Sequence, residues 1–516
     1  MATYALIDVS HKQEYIYRNN KLKNNLYNSF TIKSLTEELK LDSGTEKILT
    51  LSGHLEVEHK EQFSFVYSGG GNSIIRFESL QRAQKFVKGY SREVIKAFPT
   101  LEMYISFVDE TKIVESNSKE REIRELLYKK IDELKDKRRA RFKRWTYGVE
   151  KIDETGQAKP SIKIDPDFEL SRKYLQQRFK DVFIEKGIES LITITDDLND
   201  YKKENDGKSY IGVIVIDGNK MGEMFKRVNN FEELKQFSDT IDSIYFDAVI
   251  EALEAKGRST YFTPIVSAGD DLCLIIEADY AIEVAAEIVK QIEKLSSNNQ
   301  HKQILNKYMN GKESSLKACT GVAIVKYSYP FFEAVKIAEG LCHHAKETIY
   351  KIGSEEANGS FIDWEIVNGQ VPVIGEYENY VKHRNYNERF HIKPLRIDQT
   401  TPIENGLYSY GSFIDLAEKI GHEKDISNTV LKEIKKMTYS GWEHNKLFFE
   451  MKQTEGILKI NEIIGKVLKD DPTGNSIVLQ EANDQSIVYT YVLNDVLDAL
   501  PFINKYREVK ANVDKR

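Results

Sequence analysis

Apolar and polar positions along this chain fall into an order that occurs twice. Residues 4–10 form an apolar run that ends in an acid, and a polar, helix-like stretch covers 12–41. Two β-rich runs, 63–68 and 73–77, flank the turn Gly69-Gly70-Gly71. A helix is predicted over 79–97, a strand over 101–108 and a long charged helix over 118–138. The order then returns. Residues 211–219 are an almost unbroken apolar strand ending in Asp217-Gly218-Asn219, the pattern of a strand buried on both faces. A hairpin over 265–276, a helix over 278–295, a strand over 316–325 and a helix over 330–350 follow. Strand, helix, hairpin, helix, strand is a split β-α-β unit of ferredoxin-like type. Its repetition predicts an α+β protein with two such units in tandem. In the alignment of the copies, Asp8 corresponds to Asp217, and Ser68-Gly69-Gly70-Gly71-Asn72 to Ser267-Ala268-Gly269-Asp270-Asp271.

The stretch between the copies belongs to neither. Residues 135–145 are the most basic run in the chain. They read either as a solvated helix end or as a phosphate-backbone contact made by Arg138, Arg139, Arg141, Lys143 and Arg144, with Phe142 and Trp145 for stacking. Loop-like sequence over 146–170, a helix over 170–186 and a polar linker over 196–208 complete the segment. Beyond the second copy, strands are predicted over 361–367 and 391–397. Helices are predicted over 413–420, 426–437, 442–451, 457–467 and 488–506. The resulting division is 1–134, 135–208, 209–370 and a mainly helical 371–516.

Candidate chemistry lies where the repeat is broken. Asp270 and Asp271 sit at the tip of the second hairpin, and neighbouring strand residues point to opposite faces. One metal ion would not need both. With Asp217 as a third carboxylate, two divalent ions about 4 Å apart would use all three to clamp a phosphoryl group. By itself Asp217 reads first as a cap of the following helix, and the Asp270-Asp271 hairpin turns it into a ligand candidate. The first copy carries Gly71 and Asn72 in place of the paired acids, so it reads as a structural partner of an active second copy.

Composition narrows the setting. The 516 residues are 41% hydrophobic and 30% charged, as in ordinary globular domains. A net charge of −7 gives no general attraction to nucleic acid, so any such contact must be local. Cys273, Cys319 and Cys342 have no metal-ligand spacing and read as reduced core residues of a cytoplasmic protein. His343, His344 and His422 likewise lack partners at ligand spacing. Neither a signal peptide nor a membrane-spanning run is present.

Together, IDGNKMG (216–222), the AGDD hairpin (268–271), residues 319–346 and the opening IDVSHKQEYIYRNNKLKNN (7–25) resemble the large palm-domain (Cmr2/Csm1-like) subunit of type III CRISPR effector complexes. The resemblance spans both copies, about residues 1–370 without the segment between them. It implies a nucleotidyltransferase that joins ATP into cyclic oligoadenylate second messengers within an antiviral complex that binds guide and target RNA. Asp217, Asp270 and Asp271 would be catalytic and hold two Mg²⁺ or Mn²⁺ ions. Gly218, Asn219, Ser267, Ala268, Gly269 and Lys346 would line the nucleotide, Lys346 as a point charge on the triphosphate. The C-terminal helices would pack on partner subunits.

The chain departs from the family's pattern in four places. Asn219 stands where a second acid is usual, which removes a charge from the metal site. Ala268 replaces the first glycine of GGDD. The zinc-binding cysteines between the palms are absent, and the chain opens directly on the first palm, so HD nuclease activity is not expected. Two other readings stay open: a structural subunit whose palm binds nucleotide without turnover, and a GGDEF-like dinucleotide cyclase. Two chains meeting through their palms would present two ATP molecules head to tail, although nothing in the sequence requires a homo-oligomer.

Overall fold

The strands named here form because β-branched and aromatic runs alternate with turn residues, and their pairing reproduces the repeat. In the computed structural model all residues are described except 1, 38, 41–45, 48–62, 114–118, 142–165, 167, 204–208, 255–258, 310–313, 352–357, 368–386, 405, 470–477, 484–485 and 504–516. The first sheet contains β1 (Thr3–Val9), β2 (Phe63–Gly69), β3 (Asn72–Phe77) and β4 (Met103–Asp109) in the order β2-β3-β1-β4. Helices α1 (Lys12–Ile16) and α2 (Leu22–Thr36) follow β1, α3 (Leu80–Ala97) follows the hairpin, and α4 (Lys119–Arg141) follows β4. Ser79 starts α3 by accepting a hydrogen bond from the Arg82 amide at 3.3 Å.

The continuous helix expected over 12–41 is instead two helices. Asn28, buried on α2, donates its side-chain amide to the carbonyls of Tyr15 and Ile16, both at 3.1 Å. Those bonds satisfy the carbonyls at the end of α1 and let the chain turn there. Helix α2 is buried on most sides, since its neighbours include the inter-copy helix α5 (Phe168–Glu185) as well as its own sheet.

The second sheet repeats the first. Strands β6 (Tyr210–Gly218), β7 (Thr260–Ala268), β8 (Asp271–Glu277) and β9 (Ala318–Lys326) run in the order β7-β8-β6-β9. A three-residue strand, β5 (Ile192–Ile194), extends one edge, and β10 (Phe361–Ile366) and β11 (Leu395–Arg396) extend the other. Strand β5 falls just before the stretch read as linker and is too short to show a period. Helix α6 (Phe231–Glu254) joins β6 to β7, while α7 (Ala278–Ser296) and α8 (Phe331–Lys351) follow β8 and β9. The register confirms the alignment of the copies: Asp8 faces Asn72 across β1 and β3, and Gly69 pairs with Asn72 as Ala268 pairs with Asp271.

Both faces of the second sheet are covered, as the apolar β6 requires. Gly212 of β6 admits α7, because a β-carbon there would lie 2.1 Å from that of Ala281. On the opposite face Gly321 of β9 admits α8, where a β-carbon would meet the Ala338 carbonyl oxygen at 2.1 Å and the Cys342 amide at 2.4 Å.

The last part is helical, with α9 (Tyr410–His422), α10 (Asn428–Thr438), α11 (Trp442–Met451) and α12 (Glu455–Leu468), but the expected helix over 488–506 is wrong. Residues there form β13 (Ser486–Thr490), which pairs with β12 (Leu479–Asn483), and then a short α13 (Leu493–Ala499). The β-branched and aromatic run Ile487-Val488-Tyr489-Thr490 favours a strand, and Pro501 stops the helix early. Asp495 of α13 is buried and accepts from His391 Nδ1 at 2.6 Å and the Ile392 amide at 2.7 Å. Lys393 lies 3.9 Å from Asp495 and 3.6 Å from Asp363 of β10, which ties this part to the second sheet. All three cysteines are free and buried. Among the described residues no helix is long and apolar enough to cross a membrane.

Two stability predictions follow from these contacts. Gly321→Ala forces α8 off the sheet and lowers unfolding free energy by about 3 kcal/mol or more in denaturant melts. Burial alone would raise the Asp495 carboxyl, but the charges of His391 and Lys393 outweigh it and hold it down at about 2. An acid depressed on folding stabilises above its unfolded value and loses that contribution as pH falls. Asp495 therefore contributes about 2 kcal/mol that disappears between roughly pH 4 and pH 2. Asp495→Asn destabilises at neutral pH and flattens the acid limb of a pH–stability curve.

Candidate active site

The hairpin β7–β8 and the end of β6 bring three acids together. Asp217 ends β6, Asp270 occupies the turn and Asp271 opens β8, and one carboxylate oxygen from each lies within 4.8 Å of the others. The turn needs its glycine, because Gly269 has φ +64°. Gly218 is required for space: a β-carbon there would meet the Tyr245 hydroxyl at 2.6 Å and the Asp270 β-carbon at 3.0 Å.

Crowding and burial act in the same direction on these acids. Burial, with the charges of Asp271 and Asp217, pushes Asp270 up to about 8. Asp271 lies at the more open mouth, and burial with the charge of Asp217 pushes it only to about 6. Lys346 of α8 answers part of the negative charge, with its ammonium 2.5 Å from Asp217 and donating to the Gly218 carbonyl at 2.9 Å. The Tyr245 hydroxyl, fully buried beside the acids, has no hydrogen-bond partner among the described residues. Three hard oxygen donors at this spacing, a shortage of positive charge and an orphaned hydroxyl fit a site for divalent cations.

The cleft is shared between the two copies. A cavity of about 320 Å³ is lined by Lys12, Lys33 and Gly71 from the first and by Asp217, Asp271, Glu339 and Lys346 from the second. Helix α2 holds the outer strand of the acidic hairpin: Ser29 Oγ donates to the Ile265 carbonyl and Lys33 Nζ to that of Ser267, both at 3.0 Å. Lys12 donates to the Gly70 carbonyl at 2.6 Å, and a β-carbon on Gly71 would lie 3.1 Å from the Lys12 ammonium. In the first copy Asp8, the counterpart of Asp217, is bonded by Lys135 of α4 at 2.8 Å.

The remaining sequence candidates are placed as follows. Ser267 and Gly269 line a second cavity of about 690 Å³ on the far side of the hairpin, which Ala268 shares. Asn219 is only 4% exposed and turns into the protein, where its amide donates to the Gly359 carbonyl at 2.8 Å. Arg138, Arg139 and Arg141 belong to the end of α4, whereas Lys143 and Arg144 lie outside the described residues. Sequence reasoning did not single out Lys12, Lys33, Tyr245 or Glu339. Each sits on a helix where a lysine, a tyrosine or a glutamate looks like ordinary surface or core.

Two sheets of one topology, meeting at an acidic hairpin and a glycine hairpin, define a twin-palm protein with a candidate two-cation site. Residues 210–351 match the family model described as Cas10/Cmr2, second palm domain. A chain of the Csm1–Csm4 cassette in complex with pppApA has the same fold at TM-score 0.50 and 12% identity, with 97% of this chain and 69% of that one covered. The cassette in complex with cA3 aligns at TM-score 0.42 and 13% identity over 74% of this chain, which spans only 58% of it. Csm1 of T. onnurineus aligns at TM-score 0.48 and 14% identity, covering 91% of this chain and 64% of that one. No curated protein matches the sequence. Residues 210–351 are thus similar to the second palm domain of Cas10/Cmr2, and the fold is shared with that cassette chain.

Because their folded-state values are raised, Asp270 and Asp271 destabilise the metal-free protein as pH climbs above the ordinary carboxylate range. Asp270→Asn should stabilise the protein in EDTA at pH 8 by at least about 1 kcal/mol. It should also abolish the rise in melting temperature that Mg²⁺ or Mn²⁺ gives the parent chain. Differential scanning calorimetry with and without metal checks both effects.

Proposed function

We propose that this chain is a metal-dependent nucleotidyltransferase that joins ATP into an oligoadenylate-type second messenger, cyclic or linear, in CRISPR-linked antiviral defence. The observation that carries the reading is the convergence of Asp217, Asp270 and Asp271 within 4.8 Å beside Lys346. The pairing of a glycine-hairpin palm with an acidic-hairpin palm supports it, as does the family match over 210–351. The proposal includes a division into two palms, 1–134 and 209–370, an inter-palm segment 135–208 and a C-terminal part 371–516.

Two Mg²⁺ or Mn²⁺ ions on these carboxylates would acidify the attacking ribose hydroxyl and stabilise the leaving pyrophosphate. The rest falls to the chain itself. Lys346 can exchange Asp217 for a phosphate oxygen without leaving its place on Gly218. The small residues Gly218 and Ala268 let a nucleotide approach the hairpin closely, and Lys33 fixes that hairpin from the opposite palm. The solved relatives are cassettes of Csm1 with Csm4, carrying cA3 in one and pppApA in another. By analogy this chain works beside other type III subunits, with guide and target RNA as the trigger.

Asn219 favours a second reading, a palm that binds nucleotide without turning it over. Its side-chain nitrogen is committed to Gly359 and the amide is neutral, so it adds no charge to the metal site. One experiment separates the two. The purified protein, alone and with its partner subunits and RNA, is incubated with each NTP and Mg²⁺ or Mn²⁺. Pyrophosphate release and new nucleotide species are followed by mass spectrometry. Product from ATP that is absent in the Asp270→Asn, Asp271→Asn double variant supports the transferase. Metal-dependent ATP binding without product under every condition supports the binding palm. Lys346→Ala should weaken ATP binding about 10- to 100-fold in either case.

A further inference from the structure

The first palm carries its own cation at the place where the second offers a site for a metal. After Asp8 the chain enters α1 through His11, whose φ of +53° lies in the left-handed region. After Asp217 it enters the helix Met221–Arg227 through Lys220, at φ +56°. Residues with a β-carbon seldom adopt that conformation, so the two copies share a strained turn as well as a sheet. Lys12 and Met221 are the first helical residues beyond those turns, and each follows its strand-end acid by four places.

The Lys12 ammonium lies between the strand-end acid and the hairpin tip. It donates to the Gly70 carbonyl at 2.6 Å and stands 3.8 Å from Asp8. Gly71, the counterpart of Asp270, keeps this place open, because a β-carbon there would lie 3.1 Å from the ammonium. An acid at that position would pair with Lys12 and silence its charge. Asp8 does not depend on that charge, since Lys135 bonds it at 2.8 Å. Lys12 is therefore a cation held by a neutral carbonyl and one long contact. It stands at the wall of the 320 Å³ cavity that Asp217, Asp271 and Lys346 also line. The charges of Lys12 and Lys346 both act on Asp271, one from each palm.

We propose that Lys12 is a phosphate contact supplied by the first palm: its ammonium meets the outer phosphates of a nucleotide held on the acidic hairpin. The inference rests on the nucleotide-binding reading of the cleft and adds a residue to it. Charge balance calls for such a group. Two divalent ions on three carboxylates leave roughly one positive charge against about four negative charges on an ionised triphosphate. Lys346 adds one charge from α8, and Lys12 adds another from the opposite side. In turning from Gly70 to a phosphate oxygen, the ammonium exchanges a neutral acceptor for a charged one, which strengthens the bond. Its flexible four-carbon stem allows the turn without moving α1.

The test uses the full-length protein and three titrations: ATP with Mg²⁺, AMP with Mg²⁺, and Mn²⁺ alone followed by electron paramagnetic resonance. Lys12→Met places in the first palm the residue that the second carries. Lys12→Gln removes the charge but can still donate to Gly70. Both variants should weaken ATP about 10- to 100-fold and change AMP by less than about 2-fold. Neither should weaken Mn²⁺, because a neighbouring positive charge has gone. Lys12→Arg should recover most of the ATP affinity. Unchanged melting temperatures exclude misfolding, and the glutamine variant carries the test if the methionine variant is unstable. A parallel loss of ATP, AMP and Mn²⁺ in Lys12→Met with none in Lys12→Gln makes Lys12 a hairpin support and overturns the inference. An ATP affinity that neither variant alters overturns it too. Both of those results leave the transferase reading standing, whereas a parent chain that binds no nucleotide overturns both.

Discussion

Three carboxylates forced together at the end of one buried strand set the terms for much of this molecule. Asp270 and Asp271 would each lower their energy by moving into water or taking a proton, and the fold prevents the first. Strand β6 is fixed by neighbours on both edges and by helices on both faces, so Asp217 cannot retreat. The hairpin bearing Asp270 and Asp271 is held by β6 on one side and by α2 of the other palm. Lys346 supplies the nearest compensating charge and bonds only Asp217 among the three. The arrangement stores an unfavourable interaction that a divalent cation relieves, as expected of a site built for function rather than stability.

The tandem repeat explains how such a cluster can be held. The first palm keeps the sheet order and the central-strand acid, but its acid is neutralised by Lys135 and its hairpin is glycine where the second is acidic. Gly71 admits Lys12 beside the tip, and α2 lies against the partner hairpin. The duplicated scaffold has divided its tasks: one copy carries the charged chemistry, and the other supplies rigid contacts and basic side chains at the same cleft.

Much of this was legible in the sequence because the relevant signals are local. An unbroken apolar run ending in Asp217 reads as a buried strand, and small residues between two β-rich runs read as a hairpin. The register bears out the alignment of Asn72 with Asp271. The failures arose where distant contacts overrule local pattern. The break between α1 and α2 depends on a side-chain amide from Asn28, and β5 exists only because β7 offers an edge. The helix expected over 488–506 gave way to a strand that pairs with residues 479–483 and 388–389. In the candidate site the acids stood out by their spacing, and Lys346 only through the family resemblance. Glu339 and Lys12 were invisible, since nothing local separates a cleft-facing charge from a solvated one.

The bonds from Ser29 and Lys33 to the backbone of the acidic hairpin bear on the history of the chain. They reach carbonyl oxygens, which every residue type possesses, so the hairpin sequence can drift without losing them. The palm that supplies them has no such freedom. A duplicate that loses its own chemistry but braces its twin becomes indispensable in a new way: deleting it would release the twin's hairpin. The two copies therefore form one mechanical unit, with the acidic hairpin held through the geometry of the glycine copy.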